Sequence, residues 1–186
     1  MNPEITLLVH NIRSTHNVGA IFRTAEGFGI KKIILSGYTP YPELSLCSKA
    51  PACALVDGEI RSEDPRLPHI REKITSQIHK TALGAESLVP FEFYEDINNW
   101  IKENQRTENL PIIALEQSKG SVMLPEFQPP EKFALLLGEE VYGITPELLD
   151  NCDFTVEIPM FGQKESFNVS VATGIALFGL IFPVRK

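Results

Sequence analysis

Cysteine is scarce in this 186-residue sequence, and the three cysteines do not form a disulfide pattern. Cys47, Cys53 and Cys152 are an odd number without compact spacing, which is typical of proteins of the reducing cytoplasm. Cys47 and Cys53, followed far downstream by His69 and His79, do not have the spacing of a zinc site. We therefore expect a cytoplasmic protein without a metal.

Long hydrophobic runs are also absent. The longest apolar stretches are interrupted well before membrane-spanning length, so no membrane association is expected. The first residues include Glu4 and no early lysine or arginine, unlike a signal peptide. With 43% hydrophobic and 22% charged residues the composition is globular, and the length suits a single domain over residues 1–186.

Basic residues are outnumbered, with 17 Lys and Arg against 24 Asp and Glu and a formal net charge of −7. The first 40 residues hold four basic and two acidic side chains, whereas residues 41–186 hold 13 and 22. Net charge governs nonspecific binding, but a single phosphate is bound by a few local donors. The charge therefore favours a small, structured site over broad sliding on nucleic acid.

Apolar runs of strand length alternate with helical patterns along the chain. The predicted strands cover residues 5–9, 31–36, 88–94, 112–115, 133–137 and 154–158. The predicted helices cover residues 17–28, 68–83, 96–105 and 168–182, with a short helix opening at Thr145. Continuous apolar runs suit strands that are buried on both faces. The alternation predicts an α/β fold with a mostly parallel sheet flanked by helices, in which a ligand binds at the carboxyl ends of the strands.

The region of residues 37–86 interrupts this alternation. Its first part, Gly37 to about Asp64, is rich in proline, glycine and serine and predicts a long loop or insertion. Its last part, Lys80 to Glu86, is polar and contains a glycine, which fits either a substrate loop or a helix end. We favour the helix end.

Polar residues precede and open the first long helix, in the segment HNIRSTHNVGAIFRTA at residues 10–25. If that helix starts near Asn17, Arg23 lies about six residues along it and can reach back to the helix start, where free N–H groups favour an anion. A guanidinium is a planar, permanent cation that matches phosphate oxygens. The alternative is a surface ion pair between Arg23 and Glu26, three residues away.

Two further loops follow buried strands. In LGEEVYGI, residues 137–144, two glycines bracket a pair of acids, so the backbone could approach a ligand closely, although an ordinary strand–turn–helix connection looks the same. The loop does not have the spacing of a nucleotide phosphate loop. In IPMFGQKESFNVSVA, residues 158–172, Ser166 and Asn168 stand where the last helix begins. A helix needs one N-cap residue, so the second polar residue indicates a further role.

The three segments, in this order, resemble the three motifs of the SpoU/TrmH ribose 2′-O-methyltransferases of the SPOUT class. The matching stretches are NxGAIFRTA, LLLGEEVYGI and IPMFGQKESFNVSVA, which with their strands cover roughly residues 5–36 and 111–182. The resemblance implies methyl transfer from S-adenosylmethionine to a ribose 2′-hydroxyl of RNA, with transfer RNA as the expected substrate. It also implies a deep trefoil knot in the C-terminal part and a homodimer built through the knot region.

The resemblance also assigns the residues of the site. The S-adenosylmethionine pocket would include Leu115, Gly138, Ile158, Met160, Ser166 and Val169. The catalytic set would be Asn17, Arg23, Glu140, Ser166 and Asn168, in which Arg23 matches the family's catalytic arginine. Because a guanidinium is a very poor base at neutral pH, we expect Arg23, Ser166 and Asn168 to clamp a phosphate and position the hydroxyl. Asn17 and Glu140 would orient these groups.

The sequence departs from the family pattern at a few positions. Glu139 and Val141 stand where relatives often have Asn and Gly, and Phe167 stands where Leu is common, but no functional side chain is lost. Without a separate N-terminal RNA-binding domain, substrate choice is expected to come from the dimer surface and from residues 37–86. The alternatives are methylation of a base, as in other SPOUT branches, an RNA-binding protein without turnover, and a generic nucleotide-binding α/β protein.

Overall fold

The computed structural model describes residues 3–44, 55–56, 59–60 and 64–183. Cys47 and Cys53 lie outside these residues, so the structure does not bear on their pairing. Within the described ranges, no helix has the length and apolar character needed to cross a membrane. The same ranges contain no group of three or more His, Cys, Asp and Glu side chains that could hold a metal ion.

In the described residues, the centre of the fold is a sheet of nine strands in the order β4-β3-β5-β2-β1-β8-β6-β9-β7. The strands are β1 (Glu4–His10), β2 (Lys32–Ser36), β3 (Leu55–Val56), β4 (Glu59–Ile60), β5 (Phe91–Tyr94), β6 (Ile112–Leu115), β7 (Val122–Met123), β8 (Lys132–Leu137) and β9 (Phe154–Glu157). Every neighbouring pair is parallel except β3 with β4. The predicted α/β class with a mostly parallel sheet is confirmed.

The five α-helices among the described ranges cover the two faces of the sheet. They are α1 (Thr15–Gly27), α2 (Pro68–Ala82), α3 (Ile97–Arg106), α4 (Pro146–Leu149) and α5 (Val169–Ile181). Helices α1, α2 and α5 share one core with Leu7 and Val9 of β1. Helices α3 and α4 share the other core with Leu8. Both faces of the central strands are therefore buried, which explains their continuous apolar sequence.

The larger differences from the predicted elements lie in α1, in residues 37–64 and in β5, and the two-residue strand β7 was not predicted. Helix α1 begins at Thr15 instead of Asn17, because the Ser14 hydroxyl accepts a hydrogen bond from the Asn17 N–H and caps the helix. The predicted loop of residues 37–64 contains the two-residue strands β3 and β4. The strand predicted to start at Leu88 starts at Phe91. The predicted helix end near residue 83 is confirmed, with Leu83 in the left-handed conformation at φ 53°.

Gly19 lies where α1 crosses α2. A Cβ atom at this position would lie 2.2 Å from the Thr81 hydroxyl oxygen and 2.3 Å from the Ile78 carbonyl oxygen. The second of these atoms belongs to the helical backbone of α2 at the buried residue Ile78 and cannot move aside alone. The glycine of the segment NVGAIFRTA therefore serves helix packing.

We expect Gly19→Ala to lower the free energy of unfolding by about 1–3 kcal/mol, because α1 must shift away from α2 to admit the methyl group. Gly27→Ala is the matched control: it lies on the same helix and its Cβ would have no atom within 4 Å. That change should leave stability unchanged or raise it by at most about 1 kcal/mol. Urea unfolding of the two variants measures the difference, and equal midpoints would contradict the close packing.

Candidate active site

Four loops leave the same edge of the sheet, at the carboxyl ends of β1, β6, β8 and β9. They cover residues 11–14, 116–121, 138–145 and 158–168. Because all four strands run parallel, the loops that follow them must meet at this edge. The three segments that carry the sequence motifs are thereby brought together.

The side-chain amide of Asn17 connects the three motifs. Its Nδ2 donates to Oε1 of Glu140 at 2.8 Å, and its Oδ1 accepts from Nδ2 of Asn168 at 3.2 Å. Asn17 belongs to the first turn of α1, Glu140 to the loop after β8, and Asn168 to the start of α5. One amide thus fixes the relative position of segments that are more than 120 residues apart in the sequence.

Both neighbours of Asn17 are held by further bonds. Oδ1 of Asn168 accepts from the Ser170 N–H at 3.0 Å, so Asn168 is the N-cap of α5. Oε2 of Glu140 accepts from the Arg13 N–H at 3.3 Å. Asn168 combines the capping role with a contact to the first motif. Of the two polar residues at the start of α5, Asn168 is the N-cap and Ser166 is not.

A cavity of about 350 Å³ opens beside this network, within the size range of small-molecule sites. The loops after β6, β8 and β9 line it. Its lining includes all six residues that the motif resemblance assigns to the cofactor pocket, namely Leu115, Gly138, Ile158, Met160, Ser166 and Val169. Ser166 is exposed at its rim.

Two glycines allow the loop after β8 to fold tightly along this cavity. A Cβ at Gly138 would lie 2.5 Å from Cγ1 of Ile144 and 2.7 Å from the carbonyl carbon of Gly143. Gly143 has φ +68°, and its Cβ would lie 2.2 Å from the carboxylate of Glu116. Close approach at Gly138 and a left-handed backbone at Gly143 both require glycine.

Glu116 and Gln117 belong to the site and were not predicted. Oε2 of Glu116 accepts from the Ile144 N–H at 2.9 Å, which ties the loop after β6 to the loop after β8. Nε2 of Gln117 donates to the Glu165 carbonyl oxygen at 2.8 Å, which ties it to the loop after β9. The signal in the sequence is their position, since they are the first polar residues after a buried strand.

Arg23 lies outside the hydrogen-bond network. It is exposed on α1, and its side chain has no hydrogen bond or ion pair with the described residues. The alternative reading, an ion pair with Glu26, therefore finds no support there. The structure brings Asn17, Glu140 and Asn168 together and does not bring Arg23 into their hydrogen-bond network.

His10 is the last residue of β1 and directly precedes the loop of residues 11–14. Its Nδ1 lies 2.9 Å from the Ser36 hydroxyl oxygen. Burial lowers the pKa of His10, and the nearby carboxylates of Asp96 and Glu139 oppose that shift. His10 is therefore neutral at neutral pH and adds no positive charge to this edge.

Several solved structures of RNA methyltransferases have the same fold as this chain. A solved structure of the AdoMet-bound rRNA methyltransferase from Sinorhizobium meliloti has a TM-score of 0.70 and 23% identity, covering 96% of this chain and 56% of that one. The TrmH/SpoU tRNA modifying enzyme of A. aeolicus gives a TM-score of 0.66 and 24% identity, with 95% and 73% covered. At these identities the likeness establishes the fold.

The family model of the SpoU rRNA Methylase family matches residues 66–178, more than half of the chain, and the chain belongs to that family. The 23S rRNA (guanosine-2′-O-)-methyltransferase of Coxiella burnetii is 27% identical over 176 residues, 95% of this chain and 57% of that protein. The tRNA (guanosine(18)-2′-O)-methyltransferase of Aquifex aeolicus is 27% identical over 177 residues, 94% of this chain and 67% of that protein. The chain thus spans roughly three fifths of their length. The resemblance predicted from the motifs is confirmed.

Proposed function

We propose that the chain transfers a methyl group from S-adenosylmethionine to a ribose 2′-hydroxyl of RNA. The observation that carries this proposal is the hydrogen-bonded series Asn168–Asn17–Glu140 beside the cavity. Similar proteins are named as guanosine 2′-O-methyltransferases, and one similar structure is described as AdoMet-bound.

The cavity suits S-adenosylmethionine, which has polar edges and an apolar thioether region. Within the part of the chain that the structure describes, the main-chain N–H groups of residues 160–167 donate to no protein acceptor. They are available to a ligand, while Leu115, Ile158 and Val169 supply apolar surface. When bound, the cofactor supplies a methyl group made electrophilic by its sulfonium sulfur.

The chain's own task is to hold the RNA ribose at the cavity mouth and to stabilise charge as the hydroxyl loses its proton. Asn168 and Ser166 stand at this mouth, and Asn17 with Glu140 fixes the Asn168 side chain. Arg23 binds a phosphate of the substrate and holds the hydroxyl in line. Because Arg23 stays protonated, it acts by position and charge, and the proton leaves to the substrate phosphate or to water.

We expect S-adenosylmethionine to bind the protein without RNA, because the pocket is formed by the three loops and is already shaped by Gly138 and Gly143. Calorimetry at micromolar protein should give a measurable heat. NAD tested side by side should give none, which separates a methyltransferase from a generic nucleotide-binding protein. Absence of heat with folded protein would overturn the proposed cofactor.

Transfer RNA is our proposed substrate class, although proteins acting on transfer RNA and on ribosomal RNA are both among the similar proteins. Methylation mapping of total RNA from cells with and without the protein tests this directly. A 2′-O-methyl group that is lost from transfer RNA in cells without the protein supports the proposal. If the lost group is in ribosomal RNA, the substrate is ribosomal RNA instead of transfer RNA. A missing base methyl group would favour the base-modifying alternative. No missing mark would favour the non-catalytic one.

We also propose that the segment after β9 is threaded as a trefoil knot. The support is that the three loops after β6, β8 and β9 share one cavity and are hydrogen-bonded to each other through Glu116 and Gln117.

The single-domain organisation of residues 1–186, with an insertion at about 37–86, and a cytoplasmic location stay predictions.

We propose that the protein is a homodimer through the outer face of α5. Val171, Phe178 and Phe182 are 50%, 60% and 55% exposed and lie on one side of the helix, opposite the buried Leu177 and Leu180. Sedimentation at micromolar concentration should give a dimer, and Phe178→Asp should give a monomer. Leu83→Asp, at a 61% exposed apolar residue on α2's end, is the control that should stay dimeric. A wild-type monomer would contradict the proposal.

A further inference from the structure

Arg13 and Tyr38 form an exposed pair at the same sheet edge, beside the motif network. The Arg13 guanidinium carbon lies 5.3 Å from the centroid of the Tyr38 ring, within the range of a cation–π contact. The Arg13 side chain is 74% exposed and Tyr38 is 47% exposed. Tyr38 follows β2, so the pair extends the site on the side away from the cavity.

The pair lies next to the hydrogen-bonded series Asn168–Asn17–Glu140. The Arg13 N–H donates to Glu140 at 3.3 Å, and one guanidinium nitrogen lies 3.6 Å from Oε1 of Glu139, a residue that lines the cavity. The Arg13 end of this 3.6 Å ion pair is largely in solvent, so the pair contributes little to stability. The structure therefore does not require Arg13 for folding.

The backbone holds the pair in place. The Tyr38 N–H donates to Oδ1 of Asn11 at 3.3 Å, and Asn11 itself has φ 57°. Gly37 has φ +66°, and a Cβ there would lie 2.0 Å from the same Asn11 oxygen. Two left-handed turns in contact thus aim the Tyr38 ring before any substrate arrives, which reduces the entropy lost on binding.

We propose that Arg13 and Tyr38 form a platform that takes an unpaired RNA base next to the nucleotide to be methylated. The inference rests on the proposed function. An exposed aromatic ring and a planar guanidinium are the two surfaces on which proteins stack unpaired bases. Glu139 and Glu140 repel phosphate at this rim, and Arg13 supplies a local cation that offsets them. The platform makes the enzyme select single-stranded flanking sequence.

The test compares Tyr38→Ala, Tyr38→Phe, Arg13→Ala and Arg13→Lys in the full-length protein. Methyl transfer is measured against the concentration of bulk RNA from cells that lack the protein. Tyr38→Ala should raise KM for RNA on the order of tenfold, with kcat and S-adenosylmethionine affinity unchanged. Tyr38→Phe keeps the ring and should behave as wild type. Arg13→Lys should resemble Arg13→Ala, because an ammonium lacks the stacking plane.

Arg106→Ala is the matched control, since it removes the same charge from the exposed end of α3 at the opposite sheet edge. A second measurement titrates a short unstructured oligoribonucleotide and the same strand annealed to its complement. Wild type should prefer the unpaired strand, and Tyr38→Ala should lose that preference.

Each outcome is decisive. An unchanged KM for Tyr38→Ala overturns the platform while leaving the proposed function intact. A parallel loss of S-adenosylmethionine binding, or dissociation of a dimer by Tyr38→Ala, would show a structural role and also overturn it. No methyl transfer by the wild type would overturn the proposed function, and the platform with it.

Discussion

Replacing Arg23 with alanine should lower the rate of methyl transfer by about 10²–10³-fold and leave S-adenosylmethionine affinity nearly unchanged. The reason is that Arg23 is exposed and has no protein partner among the described residues, while the predicted cofactor residues line a cavity formed by other loops. Its loss therefore removes a contact to substrate and little else. Single-turnover methyl transfer, with calorimetric titration of the cofactor, measures both quantities.

The Arg23→Lys variant shows whether the rate depends on the positive charge at residue 23 or on the planar shape of the guanidinium. Lysine keeps the positive charge but cannot reproduce a bidentate guanidinium contact, so activity should not be fully restored. If Arg23 were only a surface residue of α1, both substitutions would change the transition-state energy by less than about 1 kcal/mol. A near-wild-type rate for Arg23→Ala would remove the residue from the active site.

The second large effect is expected at Gly138. Alanine there would place a methyl group 2.5 Å from Ile144 and 2.8 Å from the Gly143 carbonyl oxygen, so the loop after β8 must move off the cavity wall. Overpacking of this kind costs about 1–3 kcal/mol. We expect S-adenosylmethionine affinity to fall at least about tenfold, the equivalent of 1.4 kcal/mol.

Calorimetry on Gly138→Ala, with Gly27→Ala as the control outside the cavity, tests this expectation. The melting temperature of each variant shows whether the loss is local. Wild-type affinity in a folded Gly138→Ala protein would mean that the loop after β8 does not form the cofactor wall.

The long elements of the fold could be predicted because their sequences carry strong patterns. Strands β1, β2, β6 and β8 contain apolar runs, β9 lies within the predicted strand of residues 154–158, and the helix predicted over residues 96–105 is α3, with Asp96 as its N-cap. The strands β3, β4 and β7 have two residues each, too few for any periodicity to register. They exist because neighbouring strands offer them backbone partners, which is tertiary information.

The sequence predicts which residues belong to the site but does not predict the hydrogen bonds between them. The motif loops identify Asn17, Glu140 and Asn168, but the two hydrogen bonds joining them span 123 and 151 residues. No local pattern encodes such pairings. Arg13 lies in the segment of residues 10–25, but the sequence assigns it no role. Tyr38 lies in the region from Gly37 that the sequence predicts as a loop. Only the fold places them beside Glu139 and Glu140.

The hydrogen bond between Asn17 and Asn168 can form only late in the synthesis of the protein. A ribosome adding about 5–20 residues per second needs roughly 8–30 s to make the 151 residues between the two asparagines. Throughout that interval the first motif has been synthesised while Asn168, which completes its hydrogen bonds, has not. On the proposed function, we therefore expect a nascent chain or a fragment that ends before Asn168 to be inactive, and methyl transfer to begin only after the start of α5 has been made.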